Sequence, residues 1–419
     1  AYETTLQIQP AYPEAWNNLA LLEQSDGNLL AAEAAFRRAL LINSSYRDSL
    51  YNFAVLLQDQ ERLQEAILFY ERLIAVDSNF AEAHNNLGNC FLKLNRLSEA
   101  QNQFLETLAI NASHKEAPWN LGFASLLMGD FARGWSGYEH RLTQHEISKR
   151  DLKIPRWNGK LTRGTRIIVH SEQGLGDTIQ FARYLPLLRD AGMKVNVLCQ
   201  RPLLPLISEI PGLSHCTSNP DELNPGDCHV PFPSLPYHFK TRLESIPHRT
   251  PYLAVDKARK QSWGELFAAM PAAGKRIGLV WQGNPKHRND HNRSLPKANL
   301  AELLTVPGFH FLGLQKDIPK GHFPAGLFDL SPLLTDLAET AAAIEHLDLV
   351  ISVDTAVTHL AGSLGKPVWT LLPYAPDWRW LLHRDDSPWY PSMRLFRQPI
   401  PGDWTSVIQN VRRQLADLP

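Results

Sequence analysis

Apolar and polar positions along the first third of the chain recur with a fixed step. Phe36, Tyr70, Phe104 and Tyr138 stand 34 residues apart, with Tyr2 one step earlier, and Ala32, Ala66 and Ala100 keep the same interval four residues ahead of each aromatic. Ile8, Ile42, Val76 and Ile110 share this step, as do Asn18, Asn52, Asn86 and Asn120. Inside each period the apolar residues return at three- and four-residue spacing, which predicts two amphipathic helices. In the first period the pair is broken by SDGN, where Gly27 can take a left-handed turn. The pattern predicts four helix pairs, at 13–46, 47–80, 81–114 and 115–148, preceded by a single helix ending near Pro10. Each pair buries its apolar face on the next. The fourth departs, with Gly134 at the alanine position and the bulky GWSGYEHRL around it, as suits a terminal unit that docks on something else.

A period of 34 with a small residue at the helix crossing and an aromatic four residues on resembles the tetratricopeptide repeat. After Arg150 the period changes. Short β-branched runs alternate with helical stretches: RIIVHS, a helix at 177–191, KVNVLC, a helix at 202–210, then a proline-rich passage to Tyr252. A second set follows, RIGLVW, FHFLGLQ, DLVISV and PVWTLL, closed by a helix in DWTSVIQNVRRQLADL. Buried runs separated by helices read as parallel sheets. The expected organisation is an α superhelix over 1–150 followed by two α/β, Rossmann-like lobes at 151–255 and 256–419, whose ligands sit beyond the carboxyl ends of the strands.

Composition narrows the function classes. With 42 Lys and Arg against 43 Asp and Glu, the 419-residue chain has a formal net charge of −1 and no electrostatic footprint for nucleic acid or an anionic membrane. No apolar run approaches the ~20 residues of a membrane span. The four cysteines, Cys90, Cys199, Cys216 and Cys228, lack a CxxC or zinc spacing and read as reduced thiols of a cytoplasmic protein. The chain begins at Ala1 inside a repeat, without methionine, and reads as a fragment or processed product.

Three stretches carry candidate chemistry. In SEQGLGDTIQ, Gly174 and Gly176 occupy a strand-to-helix turn where a ligand can approach the backbone, and Asp177 is either a reactive carboxylate or the cap of its helix. A third glycine and a distal acid, expected of a dinucleotide site, are missing. In ISVDTAVTHLAG, Asp354 ends a strand and Thr355, Ala356, Val357 and Thr358 open a helix, so that amides and two hydroxyls are expected to converge on a diphosphate, with Asp354 accepting from sugar hydroxyls. A plain helix cap is the alternative. In WQGNPKHRNDHNRSLP, a strand runs into a loop bearing Lys286, Arg288 and Arg293, which by itself reads as a solvated basic loop. His287 and His291 lack a third ligand and read as exposed, Asp385 and Asp386 as structural, and Trp378, Trp380 and Trp389 as base-stacking or simply buried.

GLGDTIQFARYLPLL and SVDTAVTHLAGSLGKPVWTLLP resemble the two halves of the lipopolysaccharide heptosyltransferase family over roughly 165–400. That resemblance implies a glycosyltransferase B architecture and an inverting transfer without metal or cofactor, the nucleotide sugar being co-substrate. It maps the base to Asp177 and the donor contacts to Asp354, Thr355, Ala356, Thr358 and His359, with Gly174 and Gly176 beside them, and it implies a cation on the loop after 281 that meets the phosphates and offsets the leaving charge, Lys286 first, then Arg293, with Arg288 the third candidate. Fusion to repeats also resembles the O-GlcNAc protein transferases and bacterial protein glycosyltransferases, in which a repeated asparagine grips a peptide. This implies a protein acceptor held by Asn18, Asn52, Asn86 and Asn120, though the same asparagine is common repeat consensus. The histidine-rich acceptor-side elements of the eukaryotic enzymes are not evident. A non-catalytic adaptor with a nucleotide-sugar-binding scaffold, and a transferase acting on a glycan, remain the alternative readings.

Overall fold

The computed structural model describes residues 2–143, 152–172, 174–270, 274–287, 289–316, 318 and 323–418. It divides into two compact units, Ala1–Met128 with Ser136–Thr143, and Gly129–Trp135 with Gln144–Pro419.

The first unit is built of helices α1 (Tyr2–Ile8), α2 (Pro13–Ser25), α3 (Leu29–Ile42), α4 (Arg47–Asp59), α5 (Leu63–Val76), α6 (Ala81–Lys93), α7 (Leu97–Ile110), α8 (Ala117–Leu127) and α9 (Phe131–Tyr138), the last shared with the second unit. Helix pairs stand inside the four expected spans, and residues 144–148 of the last span lie outside the described residues. Ala32, Ala66, Ala100, Phe36, Tyr70 and Phe104 are fully buried, which is why these positions carry the period. Ile8 and Val76 share the step but lie at helix ends and are exposed. Each inter-helix turn needs one left-handed residue, and the residues that take it are again 34 apart: Gly27 (φ 82°), Glu61 (58°), Asn95 (57°) and Gly129 (84°). In the last pair α8 and α9 touch backbone to backbone: a Cβ on Gly122 would lie 2.5 Å from the carbonyl carbon of Gly137. The two glycines permit that approach.

The second unit holds two all-parallel sheets. One has the order β3-β2-β1-β4, with β1 Arg166–His170, β2 Lys194–Leu198, β3 His215–Thr217 and β4 Cys228–Pro231. In it Ile167 pairs with Val195 on one side and Cys228 on the other. The other has the order β10-β9-β8-β5-β6-β7, with β5 Lys275–Val280, β6 Phe309–Gly313, β7 Phe328–Asp329, β8 Leu349–Val353, β9 Val368–Leu372 and β10 Met393–Arg397. An α region followed by α/β parallel sheets is thus the fold class. Strands β3, β4, β7 and β10 were not expected from the sequence: β4 is four residues ending in a proline, and β10 reads MRLFR, with arginines breaking the apolar run. The helix expected at 177–191 runs instead as Leu175–Phe181, a 3-10 turn Ala182–Tyr184 and Leu185–Asp190, because Pro186 supplies no amide to continue the ladder. The segment Gly129–Trp135 packs within this unit, where Trp135 meets Trp378 edge-on at 5.2 Å and Phe131 stacks on Trp389 at 5.9 Å. Among the described residues no helix is long and apolar enough to cross a membrane.

Candidate active site

Two strand ends deliver the candidate groups. Beyond β1 the chain turns through Ser171, whose Oγ donates to Gln200 Oε1 (2.7 Å), while Thr178 Oγ1 donates to the same oxygen (3.0 Å). These bonds tie the turn and the following helix to the end of β2. Gly174 takes an ordinary extended conformation (φ −67°, ψ 167°) as the cap residue, and its N–H donates to Asp177 Oδ2 at 2.8 Å. Asp177 therefore does cap its helix. Its other oxygen accepts from Arg379.

Gly176 has a different reason. A Cβ there would lie 2.8 Å from His359 Cδ2 and 3.7 Å from Ala356 Cα, so this glycine admits the helix that follows β8. That helix, Ala356–Ser363, starts directly after Asp354 and Thr355. The turn bearing Asp177 and the helix start bearing Thr355 and Ala356 consequently share one place in the unit.

The hydroxyls behave differently from expectation. Thr358 is fully buried and its Oγ1 donates to the Val353 carbonyl (2.9 Å); Thr355 Oγ1 pairs with Ser352 Oγ (3.1 Å). Both face back toward the strand, because the tight β8-to-helix connection leaves carbonyls to satisfy. Thr355 makes no side-chain capping bond, so the first amides of the helix are not closed off by it. His359 is buried, with Nδ1 2.9 Å from Tyr390 Oη and its ring stacked on Trp380 at 5.3 Å. Burial, followed by the nearby Arg379 and Arg183 charges, holds it neutral, well below the usual histidine range.

Asp354 is pushed up to about 6, first by burial and then by the like charge of Asp377, against the pull of Arg379 and Arg293. The Trp380 indole N–H, buried and without an acceptor at hydrogen-bond distance, still favours the ionised carboxylate. Of the loop cations, Arg293 reaches this place: Nη1 donates to the Asp354 carbonyl (3.2 Å) and Nε to Asp290 (3.2 Å). Lys286 is exposed, its backbone amide on Asn284 Oδ1 (3.0 Å). Arg288 lies outside the described residues. His287 and His291 are exposed as residues, and partial desolvation of the His287 ring, then Arg293, holds it below the usual histidine range, with Asp290, Asp377 and Asp177 acting in the opposite sense.

The remaining candidates are structural neighbours. Trp378, Trp380 and Trp389 are buried, so their rings are spent inside the protein. Asp386 pairs with Arg384 at 2.6 Å. His170 is buried with Nε2 3.0 Å from His229 Nδ1 on β4. In the repeats, Asn52 donates to Asn17 (3.2 Å), Asn86 to Tyr51 (3.3 Å) and Asn120 to Asn85 (3.1 Å), each reaching 35 residues back into the previous repeat. Asn18 is exposed and Asn120 buried.

Sequence reasoning missed Arg379, Asp377 and Gln180. The local signal of the first two was Asp-Trp-Arg just past β9, where Asp377 caps the turn Trp378–Trp380 through the Arg379 amide (3.0 Å), while Gln180 closes the quoted SEQGLGDTIQ stretch.

Residues 323–398, which include β8, Asp354 and the helix start, match the model of glycosyltransferase family 9 (heptosyltransferase). Residues 13–46 and 57–121 match tetratricopeptide-repeat models. Segments of the chain are thus similar to tetratricopeptide repeats and, over residues 323–398, to glycosyltransferase family 9. It is 28% identical over 326 residues to Protein FlbA of Caulobacter vibrioides, an alignment that takes in 70% of this chain and 53% of that protein. The chain therefore spans about half the length of this curated relative. Among solved structures, similarity extends to MamA (19% identical, 34% of this chain and 85% of that one, TM-score 0.32). A further similarity is to YrrB, described as a tetratricopeptide-repeat protein with an unusual peptide-binding site (20% identical, 35% and 75%, TM-score 0.32).

Proposed function

We propose that the protein is an inverting, metal-independent glycosyltransferase of B-type architecture that moves a sugar from a nucleotide-sugar donor to a hydroxyl of a protein recruited by its repeats. One observation carries the reading: the family 9 match includes the β8–Asp354–helix segment, and that helix start meets the turn bearing Asp177. Two parallel sheets whose strand ends face these groups support it.

The donor diphosphate lies at the amides of Ala356 and Val357, where the positive helix end and Arg293 stabilise negative charge. Asp177 takes the proton of the acceptor hydroxyl as that oxygen bonds the anomeric carbon from the face opposite the departing diphosphate. Asp354 accepts hydrogen bonds from the sugar. Arg293, already on the Asp354 carbonyl, is better placed than exposed Lys286 to meet the growing charge.

A thermal-shift panel of UDP-, GDP-, ADP- and CMP-sugars identifies the donor, since a ligand that binds only the folded state raises its apparent stability. With that donor and a protein acceptor, Asp177→Ala is expected to lower turnover roughly 10²- to 10⁴-fold while leaving donor affinity within an order of magnitude. Undiminished turnover removes Asp177 from the mechanism. Binding of a nucleotide sugar without turnover on any protein or glycan acceptor points instead to the adaptor reading.

A further inference from the structure

Arg379 belongs to the turn that follows β9, yet its guanidinium is engaged with the helix that follows β1. Nη2 donates to Asp177 Oδ1 and Nε to Gln180 Oε1, while Nη1 stays on its own lobe with Asp377 Oδ1 at 2.7 Å. The group lies 4.7 Å over the Trp378 ring, and one tenth of the side chain is exposed. Beside it, Gln180 is fully buried and its Nε2 has no hydrogen-bond partner. An unsatisfied buried donor carries a penalty, which an acceptor oxygen that reaches it removes. Arg379 and Arg293 both bear on Asp354 at the mouth of the helix Ala356–Ser363. The guanidinium accordingly contacts the carboxylate assigned to the acceptor proton and bears by its charge on Asp354, two residues before the helix start assigned to the diphosphate.

We propose that Arg379 is shared between Asp177 and the donor. Here it holds the Asp177 carboxylate; the donor's diphosphate draws it away, and the bond it made to Oδ1 is exchanged for one from the acceptor hydroxyl. The inference rests on the donor-site reading above. Charge and shape permit the exchange: a planar fork binds phosphate oxygens bidentately, and Asp177 keeps the Gly174 N–H on its other oxygen when the arginine leaves. Donor binding then precedes activation of the acceptor.

The test needs no turnover. Calorimetry is run on the full chain with UDP, GDP, ADP and inorganic pyrophosphate, for wild type, Asp177→Asn, Arg379→Gln, Arg379→Lys and the Asp177→Asn/Arg379→Gln double variant. Asparagine at 177 still accepts from Gly174, so the helix cap survives. Asp177→Asn is expected to bind the nucleoside diphosphate about 10- to 100-fold tighter, the worth of one charge-assisted hydrogen bond no longer competing. Arg379→Gln is expected to bind tenfold or more weaker, and Arg379→Lys in between. The gain from Asp177→Asn vanishes in the double variant, because no guanidinium is left to release. A gain that persists there reports simple repulsion between Asp177 and phosphate and overturns the proposal. Equal affinity of wild type and Asp177→Asn also overturns it, leaving the donor site standing. If none of the four probes binds either protein at millimolar concentration, both readings fall. Should Arg379→Gln fail to fold by circular dichroism, the Asp177→Asn comparison in the Arg379→Lys background decides, with the gain reduced from its wild-type value.

Discussion

Gly176→Ala tests the seam between the turn at Asp177 and the helix after β8. The added Cβ would lie 2.8 Å from His359 Cδ2 and 3.4 Å from Nε2, against an ordinary carbon contact of about 3.5–4.0 Å. Roughly 1 Å of relief is therefore needed. The imidazole cannot supply it. Its Nδ1 is 2.9 Å from Tyr390 Oη, and its ring lies on Trp380 at 5.3 Å and 23°. Tyr390 is itself pinned, since a Cβ on Gly362 would come within 2.5 Å of its ring and the Arg183 guanidinium sits 4.6 Å over its face. The relief must come from separating the two helices. That stretches the other bonds across the seam, Arg379 to Asp177 and Arg183 Nη1 to the Trp389 carbonyl (2.6 Å). Overpacking of this kind costs about 1–3 kcal/mol, and at this size each kcal/mol lowers the midpoint by about 2–4 °C. Scanning calorimetry should show the α/β transition falling by several degrees with the repeat transition unmoved. Gly174→Ala is the control, because its φ of −67° suits alanine. Its Cβ would approach only Asp177 Oδ2, at 3.3 Å, among the described residues. Equal midpoints for the two variants, or a larger drop for Gly174→Ala, would refute the packing argument.

Other perturbations have equally definite outcomes. The Asp354 carboxyl is raised from 3.8 to about 6, so its neutral form is favoured on folding and its contribution is complete below about pH 4 and lost as pH rises through about 6. Urea titrations of wild type and Asp354→Asn should show the difference in stability, wild type minus variant, falling by roughly 3 kcal/mol between pH 4 and 7; a flat difference contradicts the burial of that charge. Gly27→Ala should destabilise the repeats by about 1–2 kcal/mol, since φ there is 82° and no atom lies within 4 Å of the new Cβ. Glu61→Gly, at the matching turn one repeat on, should stabilise by about 0.5–1 kcal/mol despite losing its exposed pair with Lys93; thermal unfolding that reverses either sign rejects the shared turn geometry. Asn120→Ala strands Asn85 Oδ1 in a buried setting and should cost about 1–3 kcal/mol, whereas exposed Asn18→Ala should cost under about 0.5.

What the sequence disclosed follows from how each feature is encoded. The repeats were legible because every interface is rewritten 34 residues later, so burial at Phe36, Tyr70 and Phe104 appears as period. The strand at Cys228–Pro231 was hidden because it is short and ends in a proline, although it borders the central strand β1. Arg379 was hidden for a different reason: its partner is 202 residues away, and neither motif nor spacing records a contact made only when the segments after β1 and β9 meet in the fold. The glycines of the first motif show the same limit. Their presence raised the close approach of a ligand to the backbone, whereas the room at Gly176 is taken by His359 and Ala356 of the protein itself.

The repeated asparagines show how one spacing can serve two ends. Asn52, Asn86 and Asn120 each donate to the preceding repeat, so the position is fixed by the need to tie neighbours together. A side-chain amide has two donor hydrogens and a carbonyl oxygen, and one such tie uses a single donor. The tie also orients what remains. At Asn18 and Asn86 the oxygen also accepts from the preceding asparagine, Asn17 and Asn85; on the peptide-acceptor reading, the amide groups that remain meet backbone donors and acceptors rather than particular side chains. Burial then grades the series, from Asn18 exposed to Asn120 buried. On the peptide-acceptor reading, the capacity to hold a backbone therefore resides in the first three repeats, and the fourth asparagine serves the scaffold alone.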